Sequence, residues 1–467
     1  MTDTGVGLRS ERGPVLGAVM LATALVAIDA TIIATAVPSI VADIGGFTEF
    51  PWLFSTYLLA QAVSVPVFGK LSDLFGRKPV VLAGIALFLA GSIGGGLAGS
   101  IGVLIAFRAV QGLGAGAIQP TTITMVGDLY SVQERAKVQG YIASVWGVSS
   151  VVGPTLGGVF SEWVSWRWIF FVNIPLCLIA ALTIGRRFDE RVERGRARID
   201  YLGTTLLTGG LTLILLGLLE GGQVWSWRSG WSVLVLGAGV LLLVVFTLVE
   251  RAAGEPVLPL WVFRRRLLVA SGLTAFTVGA VLLGLSSYIP LYAQTALGAG
   301  PLTAGFALAA LLLGWPLAAA QSGRIYLRLG FRGCSLIGAT VVLAGTLLLL
   351  VLGRDSSLWT VGAVCLVIGV GMGLASPPTV VAAQASVGWA ERGVVTGSNV
   401  FLRSLGSAVG VAVFGAIANA TIRGADSDPA RVTTAVHHVF EGLIVTAALM
   451  VVMVLLMPGN DRPQPES

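Results

Sequence analysis

The sequence contains few charged residues. Only 11% of its 467 residues are Asp, Glu, Lys or Arg, and 55% are hydrophobic, whereas soluble domains carry about 25% charged residues. A soluble fold cannot bury so much apolar surface, so the composition excludes a soluble globular protein. Apolar runs of about 18 residues or more recur along the chain, and each is long enough to cross a bilayer as a helix. The composition therefore predicts an all-α polytopic membrane protein.

Cysteine and histidine are also scarce, which argues against metal and redox chemistry. Cys177, Cys334 and Cys365 stand singly inside apolar segments, without metal-binding or redox spacing. We therefore predict that they are small buried side chains. The two histidines, His437 and His438, are adjacent at a predicted helix end, and no Ser, His and Asp arrangement for hydrolysis is evident. The sequence thus predicts no enzyme activity, no metal site and no cofactor.

The apolar runs and the positive charges together predict a membrane topology. Fourteen spans fit the pattern of apolar runs. Most of the 29 lysines and arginines fall in loops on one side of the predicted membrane, which places both termini in the cytoplasm. Because these residues lie in short loops between spans, they indicate orientation and not nucleic-acid binding. We predict a multi-pass protein of the inner or plasma membrane.

Two basic loops divide the fourteen predicted spans into groups of six, two and six. The resulting segments are a cytoplasmic N-terminal tail (1–13), an N-terminal six-helix bundle (14–186), a basic cytoplasmic linker (187–200), an inserted two-helix hairpin (201–249), a cytoplasmic linker (250–266), a C-terminal six-helix bundle (267–457) and a cytoplasmic C-terminal tail (458–467).

The two predicted bundles repeat each other in sequence. At one constant offset, glycines, a proline and a Glu-Arg pair of the first bundle coincide with the same residue types in the second. The matched residues are Gly112, Gly114, Gly116, Pro120, Glu134 and Arg135 in the first bundle, and Gly369, Gly371, Gly373, Pro377, Glu391 and Arg392 in the second. Transporters with such repeats expose a central site alternately to the two sides of the membrane. The repeat therefore predicts transport by alternating access.

The loop from Gly69 to Lys78 is the most specific local pattern. Gly69 and Gly76 permit a tight turn between two spans. Asp73 can face the N-terminus of a neighbouring helix, and Arg77 can pair with a carboxylate. An ordinary cytoplasmic loop needs only positive charge, which does not explain the two glycines and the aspartate. We predict that Gly69, Asp73, Gly76 and Arg77 form a cytoplasmic gate.

Several segments resemble the motifs of a known family. Residues 69–78 resemble the signature loop of the major facilitator superfamily, and residues 108–116 resemble its fourth-span motif. Residues 29–32 with Pro38 resemble the first-span motif of drug exporters, and residues 166–175 resemble the start of the sixth span in fourteen-span drug:proton antiporters. In the fifth span, the residues that resemble the antiporter motif are Gly147, Gly153, Pro154, Gly157 and Gly158.

This resemblance implies the major facilitator fold, with two six-helix bundles and an inserted central helix pair. It also implies a cavity between the bundles that binds a bulky amphiphile. The polar and aromatic residues expected in that cavity are Tyr57, Gln61, Gln119, Trp146, Tyr288, Asn399 and Arg403. For each residue taken alone, helix packing explains its presence equally well.

Asp29 is the only acidic residue deep in a predicted span. An Asp at the centre of a membrane helix costs roughly 2.5–3.5 kcal/mol on insertion scales, so its retention calls for a function. Arg108, in the fourth span, is the nearest candidate partner, and we predict that the pair carries the coupling proton. The alternative is an ion pair that only holds two spans together. Arg403, also deep in a span, has no evident acidic partner, which would suit an anionic or zwitterionic ligand.

These observations predict a proton-coupled antiporter that exports lipophilic or amphiphilic compounds, such as drugs, by alternating access. The proton gradient would drive it, and its partners would be the bilayer, protons and a small amphiphilic substrate. One alternative is an exporter of an endogenous lipid or siderophore-like amphiphile, acting with or without a partner protein. A second alternative is a membrane sensor that keeps the fold without transport.

Overall fold

The computed structural model describes residues 7–45, 49, 52–190, 200–221, 224–253, 256, 258–353, 355–422 and 429–459. The outer parts of the two predicted tails, 1–6 and 460–467, and most of the predicted basic linker, 191–199, lie outside the described residues.

Regular structure in the described chain is helical. In a bilayer, a helix forms hydrogen bonds between the backbone N–H and C=O groups of its own segment, whereas an open sheet edge leaves such groups without partners. The helices are α1 (Gly13–Ile44), α2 (Trp52–Phe75), α3 (Arg77–Gly96), α4 (Ile101–Leu129), α5 (Val132–Trp163), α6 (Trp168–Phe171), α7 (Asn173–Arg187), α8 (Tyr201–Glu220), α9 (Gly230–Ala252), α10 (Arg266–Thr295), α11 (Pro301–Leu348), α12 (Leu358–Ala385), α13 (Arg392–Ile422) and α14 (Pro429–Leu455). The predicted all-α membrane fold is therefore confirmed.

The described residues contain 13 helical segments that are long and apolar enough to span a membrane, where the sequence predicted fourteen spans. The difference arises at α11, which is 48 residues long and was predicted as two spans, 302–322 and 333–353. Gly330, inside α11, has φ 80° and ψ 167°, which are not helical angles. Only glycine adopts such angles at little cost, so the backbone direction changes here although the helical hydrogen bonding is nearly continuous.

The chain forms two compact units. Unit 1 comprises Met1–Thr212, Leu241–Pro259 and Val387–Ser398, and unit 2 comprises Leu213–Val240, Leu260–Ser386 and Asn399–Ser467. The first turns of α13 thus pack with unit 1, although they belong to the second repeat in sequence. The predicted bundle and hairpin bounds follow the repeat and not these contacts, so they stay a prediction.

Glycines bring the helices of unit 1 close together. A Cβ atom on Gly91 of α3 would lie 2.6 Å from the backbone nitrogen of Gln111 in α4. Small residues of this kind allow close packing of membrane helices, and here the packing brings the polar side chains of α3 and α4 within hydrogen-bonding distance. The three cysteines are buried, as predicted.

Candidate functional site

Unit 1 contains a buried ion pair between α1 and α4. Arg108 Nη1 donates to Asp29 Oδ2 at 2.7 Å, and the two side chains are 1% and 2% exposed. Arg108 Nε donates to the carbonyl of Leu53 at 3.1 Å. The guanidinium carbon lies 4.1 Å from the centre of the Tyr57 ring, a distance typical of a cation–π contact. The structure thus brings together three of the predicted site residues, and the proton-coupling role of Asp29 and Arg108 stays a prediction.

Uncharged polar side chains extend this ion pair, and the sequence did not single them out. Gln111 Nε2 donates to Asp29 Oδ1 at 2.8 Å and to Ser92 Oγ at 2.9 Å. Asn173 Nδ2 donates to the same Ser92 oxygen at 3.2 Å. We call Asp29, Arg108, Gln111, Ser92 and Asn173 the polar network; it joins α1, α3, α4 and α7. The arrangement can hold a carboxylate ionised in an apolar protein interior, and a proton on Asp29 would remove its charge.

The predicted gate residues lie at the junction of α2 and α3. Arg77 is completely buried and lies 3.1 Å from Asp73 Oδ1. Its Nε atom donates to Asp128 Oδ2 of α4 at 2.8 Å, and its Nη1 atom donates to the carbonyl of Ser72 at 2.9 Å. Gly76 has φ 94°, which favours glycine at this turn. Sequence reasoning identified Asp73, Gly76 and Arg77 but missed Asp128.

The gate residues also contact the start of α13. Asp73 accepts hydrogen bonds from the backbone nitrogens of Gly393 and Val394, both at 2.8 Å. A helix N-terminus favours a carboxylate, because its backbone N–H groups have no partner within the helix. Gly69 packs here too, since a Cβ atom on it would lie 2.7 Å from the carbonyl oxygen of Gly393. We call Gly69, Asp73, Arg77 and Gly393 the latch.

Two residues just before and at the start of α13 strengthen the latch. The guanidinium carbon of Arg77 lies 3.8 Å from the centre of the Trp389 ring, and Arg77 Nη2 donates to the Trp389 carbonyl at 2.5 Å. Arg392 Nη1 donates to Asp128 Oδ1 at 2.9 Å. The sequence repeat includes Arg392 but did not predict this contact.

Two of the residues that resemble the antiporter motif, Gly153 and Gly157, lie at the contact between α5 and α1. A Cβ atom on Gly153 would collide with Thr31 Oγ1, and one on Gly157 would lie 2.5 Å from the carbonyl oxygen of Ile32. A Cβ atom on Gly158 would have no neighbouring atom within 4 Å. Pro154 lies inside α5, and the carbonyl of Gly147 accepts from Ser150 at 2.8 Å.

This contact yields a prediction with an adjacent control. Gly157→Ala is expected to lower the stability of the protein by about 1–3 kcal/mol, because the added methyl group overpacks the α1–α5 contact. Gly158→Ala adds the same methyl group where nothing lies within 4 Å, so its unfolding temperature should equal or slightly exceed that of the wild type, because Ala favours a helix over Gly. Thermal unfolding in detergent gives the unfolding temperature of each variant. Equal unfolding temperatures for Gly157→Ala and Gly158→Ala would contradict the packing assigned to Gly157.

The remaining cavity candidates lie in both units. In unit 1, Gln61 Nε2 donates to Gln119 Oε1 at 3.1 Å, and Trp146 is 40% exposed. In unit 2, Asn399 Nδ2 donates to Ser271 Oγ at 2.9 Å. Tyr288 and Arg403, also in unit 2, are partly buried, and Arg403 forms no ion pair within the described part of the chain.

A second, exposed ion pair lies near the C-terminal end of α1. Arg167 Nη1 lies 2.5 Å from Asp43 Oδ2, and Trp166 Nε1 donates to the same oxygen at 3.0 Å. The hydrogen bond from Arg167 is the main cause that lowers the pKa of the Asp43 carboxyl below its usual value, and the hydrogen bond from Trp166 adds to this effect. We call the part of unit 1 formed by Asp43, Trp166 and Arg167 the rim.

Comparisons with known proteins agree with this architecture. The sequence profile described as Major Facilitator Superfamily matches residues 19–411. "Multidrug transporter protein MdtP" of Bacillus subtilis is 34% identical over 415 residues, which cover 89% of this chain and 76% of that protein. "Multidrug resistance protein 3" of the same organism is 33% identical over 417 residues, covering 89% and 81%.

A solved structure shows the same fold at low sequence identity. The human organic anion transporter MFSD10 (TETRAN) is similar with a TM-score of 0.67 and 16% identity, covering 95% of this chain and 99% of that chain. The family profile and the relatives are those of transporters and not of enzymes. The chain therefore belongs to the Major Facilitator Superfamily and is a multi-pass membrane transporter.

Proposed function

We propose that the protein is a proton-coupled antiporter that exports lipophilic or amphiphilic compounds by alternating access. The observation that carries this proposal is the buried ion pair of Asp29 and Arg108, 2.7 Å apart. An ionisable pair inside a membrane protein is expensive and usually functional. A carboxylate that a proton can neutralise is the simplest coupling group, because protonation removes its attraction to the arginine.

The hydrogen bonds of Arg108 support a reversible exchange of the proton. When Asp29 takes up a proton, Arg108 still donates to Gln111 Oε1 and to the carbonyl of Leu53, and it still faces the Tyr57 ring. The arginine therefore keeps hydrogen-bond partners in both protonation states of Asp29, although protonation removes its counter-charge. These retained contacts lower the free-energy cost of the protonated state.

The latch supports the second half of the cycle. Asp73 binds backbone groups of α13 through two hydrogen bonds of 2.8 Å, which can break and re-form without rearranging side chains of α13. We assign the latch to the cytoplasmic side, with both termini there and the protein in the cell membrane. Closing the latch would shut the cytoplasmic entrance, and opening it would admit substrate.

We place the protein in the fourteen-span drug:proton antiporter branch. The non-helical angles of Gly330 within the 48 residues of α11 support the count, since they separate two apolar stretches. The hairpin of α8 and α9 corresponds to the inserted pair of that branch. The names of the two Bacillus relatives, a multidrug transporter and a multidrug resistance protein, support drugs as substrates.

Proton flux in liposomes tests the proposal. The purified protein is reconstituted, a pH gradient is imposed, and ethidium, Nile red or 1-anilinonaphthalene-8-sulfonate is added as a cationic, neutral or anionic amphiphile. We expect at least one probe to trigger proton movement in the wild type and none to do so in Asp29→Asn. Asp43→Asn, which changes an exposed acid on the same helix, is the matched control and should retain the flux.

The other outcomes favour other functions. Proton flux that persists in Asp29→Asn would move the coupling site away from the ion pair. A response restricted to the anionic probe would support a role for Arg403 in binding. Binding of the probes without any proton movement would refute antiport and favour a uniporter, a lipid transporter that depends on a partner protein, or a sensor.

A further inference from the structure

The amide of Gln111 has one orientation that satisfies its neighbours. Its Nε2 hydrogens go to Asp29 Oδ1 and Ser92 Oγ, and its Oε1 accepts from Arg108 Nη1 at 2.7 Å. An amide turned by 180° would place its oxygen against the carboxylate and its NH₂ group against the guanidinium, so both contacts would become repulsive. Because Ser92 accepts the second amide hydrogen, it helps to hold Gln111 with a donor facing Asp29.

Asn173 in turn supports Ser92. Its Nδ2 atom donates to Ser92 Oγ at 3.2 Å, so both lone pairs of that hydroxyl oxygen are occupied, one by Gln111 and one by Asn173. Ser92, Gln111 and Asn173 are completely buried. Hydrogen bonds to such groups are not exchanged with bulk water, and the orientation of one group depends on the next.

The other end of the Asn173 amide is unsatisfied within the described structure. Asn173 Oδ1 is buried and has no hydrogen-bond partner there. Buried acceptors in proteins are usually paired, and internal water is a common partner for those that side chains do not reach. Asn173 is the first residue of α7. A water at Asn173 Oδ1 would complete the hydrogen bonding of the polar network.

Other charged or titratable groups near Asp29 come from three helices. Among the described residues, Arg108 of α4, Tyr57 of α2 and Cys177 of α7 lie in the electrostatic field of Asp29. None of them contacts Ser92 or Asn173 by a hydrogen bond that the structure shows. Changes at Ser92 and Asn173 therefore reach Asp29 through Gln111.

We propose that Ser92 and Asn173, with an internal water bound at Asn173 Oδ1, are positioning residues that hold the Gln111 amide against Asp29 and thereby set its proton affinity. This inference rests on the proposed function, in which Asp29 exchanges the coupling proton. It assigns to α3 and α7 a part in coupling that does not require contact with the substrate.

Infrared titration of the protein in lipid tests the inference without a substrate. A protonated carboxyl group in an apolar site gives a separate carbonyl band, and its loss in Asp29→Asn assigns that band to Asp29. In Ser92→Ala and Asn173→Leu we expect the midpoint of the band to move to higher pH by about one unit, because the ionised carboxylate loses its oriented donor. This is about a tenfold gain in proton affinity.

The control variant is Thr124→Val on α4. The Thr124 hydroxyl is completely buried and, among the described residues, its one hydrogen bond goes to the carbonyl of Pro120 in its own helix at 2.9 Å, so its removal should leave the midpoint unchanged. An equal shift in Thr124→Val would show a general packing effect and overturn the inference. So would an unshifted midpoint in both Ser92→Ala and Asn173→Leu, even if one of the two unfolds more easily.

Two further results separate the parts of the argument. If the wild type shows no titrating Asp29 band at all, the proposed function fails before the role of Ser92 and Asn173 is in question. An experimental density map that resolves internal waters should show one beside Asn173 Oδ1. A map with a protein atom in that position would overturn the water site.

Discussion

Replacing Arg108 by alanine is expected to lower the free energy of unfolding by about 3–5 kcal/mol, because the change leaves the buried carboxylate of Asp29 without its counter-charge. The pair is 2.7 Å apart and both side chains are almost fully buried, so water cannot replace the arginine. Titration with sodium dodecyl sulfate, followed by tryptophan fluorescence, measures the loss. We expect Arg108→Ala to be among the most destabilising substitutions in unit 1.

Two companion variants identify the cause. Asp29→Asn combined with Arg108→Gln removes both charges and should recover most of the lost stability, since no uncompensated charge stays buried. Arg167→Ala breaks the exposed pair with Asp43 at the rim and should change stability little, because water screens such pairs. If the double variant is no more stable than Arg108→Ala, lost packing and not charge accounts for the effect.

The second large effect is expected at Gly393. A Cβ atom there would lie 2.5 Å from Asp73 Oδ1 and would also collide with the carbonyl oxygen of Gly69. Gly393→Ala should therefore break the hydrogen bonds between Asp73 and the start of α13. A charge-assisted hydrogen bond contributes about 1.5–3 kcal/mol, and a loss of about 2 kcal/mol shifts an equilibrium about thirtyfold. We expect the latch to be mostly open in Gly393→Ala.

Spin labels measure this opening directly. Phe75 and Ala390 are exposed and lie close in sequence to Asp73 and Gly393. Pulsed electron–electron double resonance measures the distance between spin labels at the two positions. This distance should be short in the wild type and long in Gly393→Ala. Gly388→Ala adds a methyl group where nothing lies within 4 Å and should keep the short distance. A short distance in Gly393→Ala would contradict the proposed latch.

Charge in an apolar environment was the feature that the sequence predicted well. Asp29 and Arg108 stand out because lipid makes charged side chains costly, and two such residues in neighbouring spans are natural partners. Ser92, Gln111 and Asn173 could not be singled out in the same way. Neutral polar residues are common in membrane helices, and only the close approach of α3 to α4 at Gly91 shows that they meet.

The latch illustrates the same limit from the other side. The glycines and charges of the loop after α2 predicted a contact with a helix N-terminus, and Asp73 makes one. The identity of that helix could not be predicted, because the groups that Asp73 binds are backbone amides, which every residue except proline carries. In α11, similarly, the sequence predicted two spans, 302–322 and 333–353, but not the nearly continuous hydrogen bonding between them.

The ion pair of Asp29 and Arg108 has a consequence for membrane voltage. With Asp29 ionised, the two charges cancel, so the electric field across the membrane exerts little net force on this part of unit 1. A proton on Asp29 leaves the charge of Arg108 uncompensated. A single charge that crosses the whole membrane potential gains about 2.3 kcal/mol per 100 mV. Under the proposed mechanism, the proton-loaded form is therefore the one whose movement responds to voltage, and the proton-free form returns without that electrical work.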